Sequence, residues 1–500
     1  MRGNPYVFTD FRSGVNIEAA PYSIAGGQAR RALNVHSTPS GSIKKRNGCK
    51  DIGSLFAINF TSLFGCQLAT DVLLAAGGTN LYKVTTGGTI TSLKSGLSNG
   101  ANWEWIQAPV SGGQGPIFGV NGINTPQYWD GSSGETKNWV ATKGSVPNGK
   151  YIAYHDNRVY IAKGSELFWS DIINPLDWES PRGGSTKIDP EDGQEITGMG
   201  KIGPYLIIFK QRKTFLLTDS NTGGYRRISD DMGCISNRSI ASTEAGLFFL
   251  TPDNEIVVTD GQSFETKVSE AVKPLLSNLD STLGAKACAV HLEGIYYLSF
   301  SENNSYNDTI LEYDLDAGSW WIHKINYGEK IQGAVNQFAL LDPSNKSTLY
   351  GVGSTTKAAT LGFIFQCFIP GIFVDRSTSL VYETYWVSPW HVFTYPHIRK
   401  RVREIRVDAL GSFELYTNRS FNTSYIKEEV KNWENSDEGG TFGGEGLFGG
   451  EGTFGGNPAI MEKRFYTPGV GRAWSLKFES NTNQDLEIYA YTIAVDYKKD

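Results

Sequence analysis

Apolar residues in this chain alternate with polar ones, or run unbroken for five or six positions, far more often than they recur at helical three- and four-residue spacing. Only Gly27–Leu33 and Thr266–Leu279 carry a fair helical pattern. From residue 71 one unit repeats: an apolar run, a turn of Gly, Asn or Asp, and a second apolar run. Its copies are DVLLAAGGTNLYKV at 71, GPIFGVNGINTPQYWDG at 115, YIAYHDNRVYIAKGSELFWSD at 151 and KIGPYLIIFKQRKTFLLTD at 201. Three more are EAGLFFLTPDNEIVVTDG at 244, LEGIYYLSFSENNSYNDTILEYDLDAG at 292 and STLYGVGSTTKAATLGFIFQ at 347. The starts lie about 36 to 55 residues apart, which is the repeat length of a propeller blade of four short strands. A mainly β chain is therefore expected, with a β-propeller of six or seven blades over residues 56–375. A four-stranded sheet cannot bury both faces alone, whereas sheets packed radially bury nearly all of them. A long β-sandwich of similar hairpins is the competing architecture.

Both ends break the pattern. Beyond residue 376, YETYWVSPWHVF, REIRVDALGSFELYTN, RAWSLKFES and DLEIYAYTIAVDY read as antiparallel strands of a C-terminal β-sandwich spanning 376–500. It is interrupted by TFGGEGLFGGEGTFGG at 441–456, which sets Phe442, Phe448 and Phe454 among diglycines that cannot support regular helix. Three phenylalanines on a loop invite aggregation unless they dock, so they are expected to pack on a neighbouring subunit or to gate a passage. A plain linker is the alternative. Residues 1–55 match neither a blade nor a domain and read as an N-terminal arm, laid on the chain's own propeller or on a neighbour.

Charge narrows the partners. With 46 basic and 52 acidic residues the chain carries a net −6, so it does not gather nucleic acid non-specifically as a basic domain would. Its five cysteines are scattered without a C-x-x-C pair, which reads as buried free thiols in a protein made in reducing cytoplasm. The first residues lack the apolar core of a secretory signal. The longest apolar stretch, 361–374, is about 14 residues and holds Gln366 and Pro370, against the roughly 20 helical residues that cross a bilayer. No membrane span is expected.

Candidate chemistry is sparse. The six histidines form no H-x-H or H-E-x-x-H, so no metal is expected, and no phosphate loop, dinucleotide fingerprint or hydrolase elbow is present, so no cofactor is expected either. Asp189, Glu191 and Asp192 sit in a polar P-E-D-G turn and read as solvated loop rather than as the paired carboxylates of a glycosidase. The segment D-L-D-A-G-S-W-W at 314–321 resembles a turn of sialidase-like propellers, in which an acidic side chain caps a tight turn over an aromatic, a structural role even there. The most basic stretch is HIRKRVREIRV. On a strand, alternation sends Arg399, Arg401 and Arg403 to one face and Lys400, Val402 and Glu404 to the other. A line of guanidinium groups suits phosphates or the acidic side chains of a neighbouring subunit, and in a net-acidic chain the subunit interface is favoured. A solvated face partly paired with glutamate is the bland alternative.

The run F-R-S-G-V-N at 11–16, the Pro-Tyr-Ser-Ile turn, G-Q-A-R-R-A-L-N-V at 27–35 and S-G-S-I-K-K-R-N-G at 40–48 resemble the opening of tail nozzle or hub proteins of short-tailed bacteriophages. The F-G-G-E-G repeats, G-V-G-R-A-W-S-L-K-F at 469–478 and the closing I-x-A-Y-x-I-x-V-x-Y strand resemble the C-terminal domain of the same group. The likeness covers both ends and reaches the middle only through its periodicity. It implies a homo-oligomeric ring, commonly of six subunits, in the virion tail below the portal and adaptor. Such a ring continues the DNA channel, retains DNA without sequence-specific binding, lets it pass at ejection, and contacts tail fibre proteins. That role needs no catalysis, so the chain is expected not to be an enzyme. A receptor-binding hub that docks fibres or host glycans, and a propeller glycosidase, are the alternatives.

Overall fold

The computed structural model describes residues 5–497 apart from 22, 54–55, 69, 111–114, 267, 303–305, 329–330, 342–346, 355–361, 377–379, 395, 423, 429, 434–460 and 468. The chain is mainly β, and among the described residues seven four-stranded antiparallel sheets follow one another. Each of the seven sequence repeats falls in its own sheet. The first strands of the seven are Phe60–Cys66, Glu104–Gln107, Tyr151–His155, Ile196–Ile202, Ala241–Thr243, Cys288–Leu292 and Gln337–Leu341. Each adjoins the next, and the last adjoins the first, so the sheets close a circuit in a propeller-like arrangement. Gly65 permits the closing approach, because a Cβ there would lie 1.8 Å from the carbonyl oxygen of Leu340.

Packing follows the same circuit. Leu74, Trp103 and Trp129 fill the space between the first and second sheets, and Phe118, Trp139 and Ile161 that between the second and third. Phe60, Leu73, Tyr350 and Ile364 fill the space between the seventh and the first. Second strands are buried on both faces, as in Val72–Gly77 and Gly246–Leu250, and third strands either likewise, as in Ile256–Thr259, or on one face, as in Asn80–Thr85, which is why their hairpins dominate the apolar pattern. Fourth strands such as Lys137–Asn138 and Gly184–Lys187 face solvent and leave no such trace, whereas Ser319–His323 of the sixth sheet is buried. The turn into the fourth strand recurs as well. The Asp314 carboxylate accepts the backbone N–H groups of Asp316 and Ala317 at 3.0 Å, as the sialidase-like segment implied. Asp130, Asp219 and Asp260 cap the matching turns of the second, fourth and fifth sheets.

The described strands of the N-terminal stretch pair with later strands of the same chain. Strand Tyr6–Phe8 pairs with Glu487–Tyr497, Arg31–Leu33 with Thr384–Val387, and Ile43–Lys45 again with Glu487–Tyr497. Gly48–Asp51 pairs with Gly362–Ile369 as the fourth strand of the seventh sheet. The helical pattern at Gly27–Leu33 gives no helix: Gly27 turns at φ 84 and the paired strand Arg31–Leu33 follows. The pattern at Thr266–Leu279 yields only a 3-10 turn, Glu270–Val272, and one α-helical turn, Lys273–Leu276, among the described residues.

The C-terminal strands form a five-stranded and an eight-stranded sheet that share one core. Trp386 and Phe478 of the first meet Tyr491 of the second at ring separations of 5.9 and 5.6 Å. Arg46, from the S-G-S-I-K-K-R-N-G segment, pins these parts together. Its guanidinium is 2% exposed and grips Asp375 (0% exposed) in a bidentate pair of 3.0 and 2.6 Å. It also donates to Asn34 Oδ1 and to the carbonyl oxygens of Asn47 and Lys324.

Candidate interaction surface

Strand Lys400–Leu410 runs through the middle of the eight-stranded sheet, between Met461–Phe465 and Glu487–Tyr497. Alternation turns Val402, Ile405, Val407 and Ala409 into the core. Lys400 also turns inward, donating from Nζ to the Arg472 carbonyl at 3.0 Å, and burial lowers its pKa. Arg401 faces outward, and Arg399, just before the strand, is exposed.

A register shift between Val402 and Glu404 interrupts the alternation. Two residues, Arg403 and Glu404, stand between inward-facing Val402 and Ile405, so Glu404 leaves the inner face expected for it and joins the arginines outside. Its carboxylate accepts from Arg406 Nε at 2.8 Å and lies 3.8 Å from Arg464 Nε. This neutralises the pairing of Arg406 directly opposite Arg464. Arg403 Nε lies 3.7 Å from Asp496. Farther along, Asp408 stands opposite Glu462, and burial followed by that neighbouring charge raises the Asp408 pKa.

The face is therefore graded in charge. Among the described residues, Arg399 and Arg401 at one end have no carboxylate within ion-pair distance; the middle is balanced; at the far end Glu462 accepts from Arg464 Nε at 2.5 Å, which leaves Asp408 as the acid without an ion pair. Seven residues of strand separate Arg401 from Asp408, about 23 Å. A cleft of about 640 Å³ runs over this face, lined by Arg401, Arg403, Arg406, Glu462, Tyr466 and Thr467 among others. Phe442, Phe448 and Phe454 lie outside the described residues.

Other polar groups singled out in the sequence are structural. Asp192 is no solvated acid: it accepts from Lys210 Nζ at 2.6 Å and lies 3.2 Å from Lys213 Nζ. Burial raises its pKa, and these bonds with the Gln194 N–H more than reverse that, leaving it lowered. Asp189 takes Lys213 at 2.7 Å, while Glu191 is exposed. Two histidines meet one acid where the arm crosses the sixth sheet: Glu312 accepts from His323 at 2.9 Å and lies 3.6 Å from His36. Among the described residues no group of three His, Cys, Asp or Glu side chains is arranged to hold a metal, and no helix is long and apolar enough to cross a membrane.

One polar arrangement had no signal in the sequence. Arg238, on the turn Asn237–Ser239 between the fourth and fifth sheets, reaches across the circuit to the first two. Its Nε donates to Glu104 at 2.9 Å, Nη1 to the Thr61 carbonyl at 2.7 Å and Nη2 to Ser62 Oγ at 2.8 Å. Asn237 donates to the other Glu104 oxygen at 3.2 Å. The axis of the single chain is thereby bridged by side chains. Nothing in C-I-S-N-R-S distinguishes this arginine from a solvated one.

No family model and no curated protein matches the chain. Among solved structures it is similar to BamB from Moraxella catarrhalis, at 13% identity and a TM-score of 0.33 over 67% of this chain and 96% of that one. It is also similar to PorZ from Porphyromonas gingivalis, at 13% identity and a TM-score of 0.35 over 57% of this chain and 34% of that one.

Proposed function

We propose that this chain is a ring-forming structural subunit of the tail of a short-tailed phage, a nozzle or hub that extends the DNA channel below the portal and adaptor. The reading takes the seven sheets as seven blades, the two C-terminal sheets as a sandwich, and residues 1–55 as an arm bound in cis. The graded face of the eight-stranded sheet carries it. A surface basic at one end and acidic at the other is complementary to a second copy of itself and suits assembly more than chemistry. Because Arg238 and Glu104 bridge the axis of one chain, the passage for DNA lies between copies and not through a single propeller. A net charge of −6 per subunit around that passage favours sliding over retention by phosphate contacts.

Mass photometry of the purified chain tests the reading. Closed oligomers are expected, and the pair Arg399→Glu and Arg401→Glu should shift them to monomers. A wild-type chain that stays monomeric at micromolar concentration, and is absent from virions, overturns it.

A second reading, a hub that binds host glycans, is favoured by an aromatic cleft of about 360 Å³ lined by Tyr6, Phe8, Trp390 and Phe393. Binding of the purified chain on a glycan array, lost on Phe393→Ala, would promote it.

A further inference from the structure

The closing sheet brings two of the five cysteines side by side. Strand Gly48–Asp51 pairs antiparallel with Gly362–Ile369, with Lys50 opposite Gln366 and Gly48 opposite Ile369. Cys49 therefore faces the two residues that fall between, Cys367 and Phe368. Phe368, at φ 52, takes up the extra residue of this irregularity. Cα atoms directly opposite in an antiparallel pair lie about 4.5–5.5 Å apart, inside the roughly 4.4–6.8 Å window of disulfides. Both cysteines are buried free thiols of one hydrophobic cluster. Cys66 and Cys234 lie in different cores, and Cys288, which shares the cluster, directs its thiol to the Val335 carbonyl instead.

We propose that Cys49 and Cys367 form a disulfide when the protein meets a low-molecular-weight disulfide, and that this bond fastens the N-terminal strand to the seventh sheet. One thiolate attacks the small disulfide, releasing one small thiol and leaving a mixed disulfide. The second thiolate attacks the protein sulfur of that intermediate and releases the other small thiol. Both cysteine protons and two electrons end on the two small thiols. Entry requires the closing strand to part briefly, which its four-residue length and outermost place in the sheet allow. The inference does not depend on the tail assignment, since it concerns closure within one chain.

The full chain is incubated with oxidised glutathione, in buffer and in urea just below the unfolding transition, then denatured, alkylated and mapped by mass spectrometry. A Cys49–Cys367 cross-link is expected, with Cys66, Cys234 and Cys288 alkylated. Proteolysis between residues 51 and 60 should then leave the N-terminal fragment attached until dithiothreitol is added. In the reduced protein, and in Cys49→Ser or Cys367→Ser, the same cut should release it on denaturation. Recovery of both cysteines in alkylated form under both conditions overturns the proposal, as does a dominant cross-link of either one to Cys288.

Discussion

Replacing Asp375 by Asn changes one atom at the joint between arm, closing sheet and C-terminal sheets, and its effect can be worked from the structure. Asp375 is fully buried, holds Arg46 through two oxygens, and also accepts the backbone N–H of Asn326 at 2.8 Å and that of Cys49 at 3.3 Å. The amide keeps the shape and removes the charge, leaving a buried guanidinium without a counter-ion. Breaking one partner of such a pair costs about 3–5 kcal/mol. At 1.36 kcal/mol per factor of ten this is roughly a 160- to 4,700-fold rise in the population of open forms. Amide hydrogen exchange of Gly48–Asp51 and Gly362–Ile369 reads that population directly, because these strands open when the joint does. Exchange there should accelerate by about two orders of magnitude or more, with little change in the third and fourth sheets. The double variant Arg46→Met with Asp375→Leu should recover much of the loss, since an apolar pair of similar volume avoids the desolvation penalty. Exchange less than about fivefold faster in Asp375→Asn, or a double variant worse than the single, would refute the reasoning.

Three further outcomes are expected. Arg238→Ala removes four hydrogen bonds that tie the fourth–fifth turn to the first two sheets and leaves Glu104 uncompensated; thermal unfolding should fall by about 2–4 kcal/mol, and Glu104→Gln should fall less. His391 is buried between Phe8 and Tyr491, and burial pulls its pKa from 6.5 to about 3. The unfolded chain binds that proton below pH 6.5 while the folded chain does not, so stability drains as pH falls from 6.5 towards 3, by up to about 5 kcal/mol. His391→Phe should flatten the midpoint-versus-pH curve over that window, and parallel curves would contradict it. Deleting residues 1–52 should give aggregated protein, because the seventh sheet loses its fourth strand and exposes Gly362–Ile369 as an open edge. A soluble truncated chain by size-exclusion chromatography would count against this.

The propeller-like middle was legible because its second strands are buried on both faces and its third strands on at least one, so their apolar runs and the Asp- and Gly-bearing turns after them repeat visibly. Exposed fourth strands were not. Nor was the strand at Gly48–Asp51, whose partner lies more than three hundred residues away and leaves no local pattern. The candidate face was half legible. Alternation placed Arg401 outward and Val402 inward, but a one-residue bulge moved Glu404 to the outer face, and no local signal announces a bulge without a glycine. Arg46 and Arg238 carry the same side chain as Arg401. Only the fold makes the first a buried anchor and the second a bridge across the axis.

Supplying one strand of the seventh sheet from residues 48–51 orders events during synthesis. That strand leaves the ribosome early and has no partner until residue 369 has emerged, by which time the six sheets in between have had the opportunity to form. The nascent polypeptide thus carries an unsatisfied edge through most of its translation, and closing the circuit joins segments made at opposite ends of that interval. A chain arrested before that point stays open, so completion of the circle reports that the whole repeat array has been made.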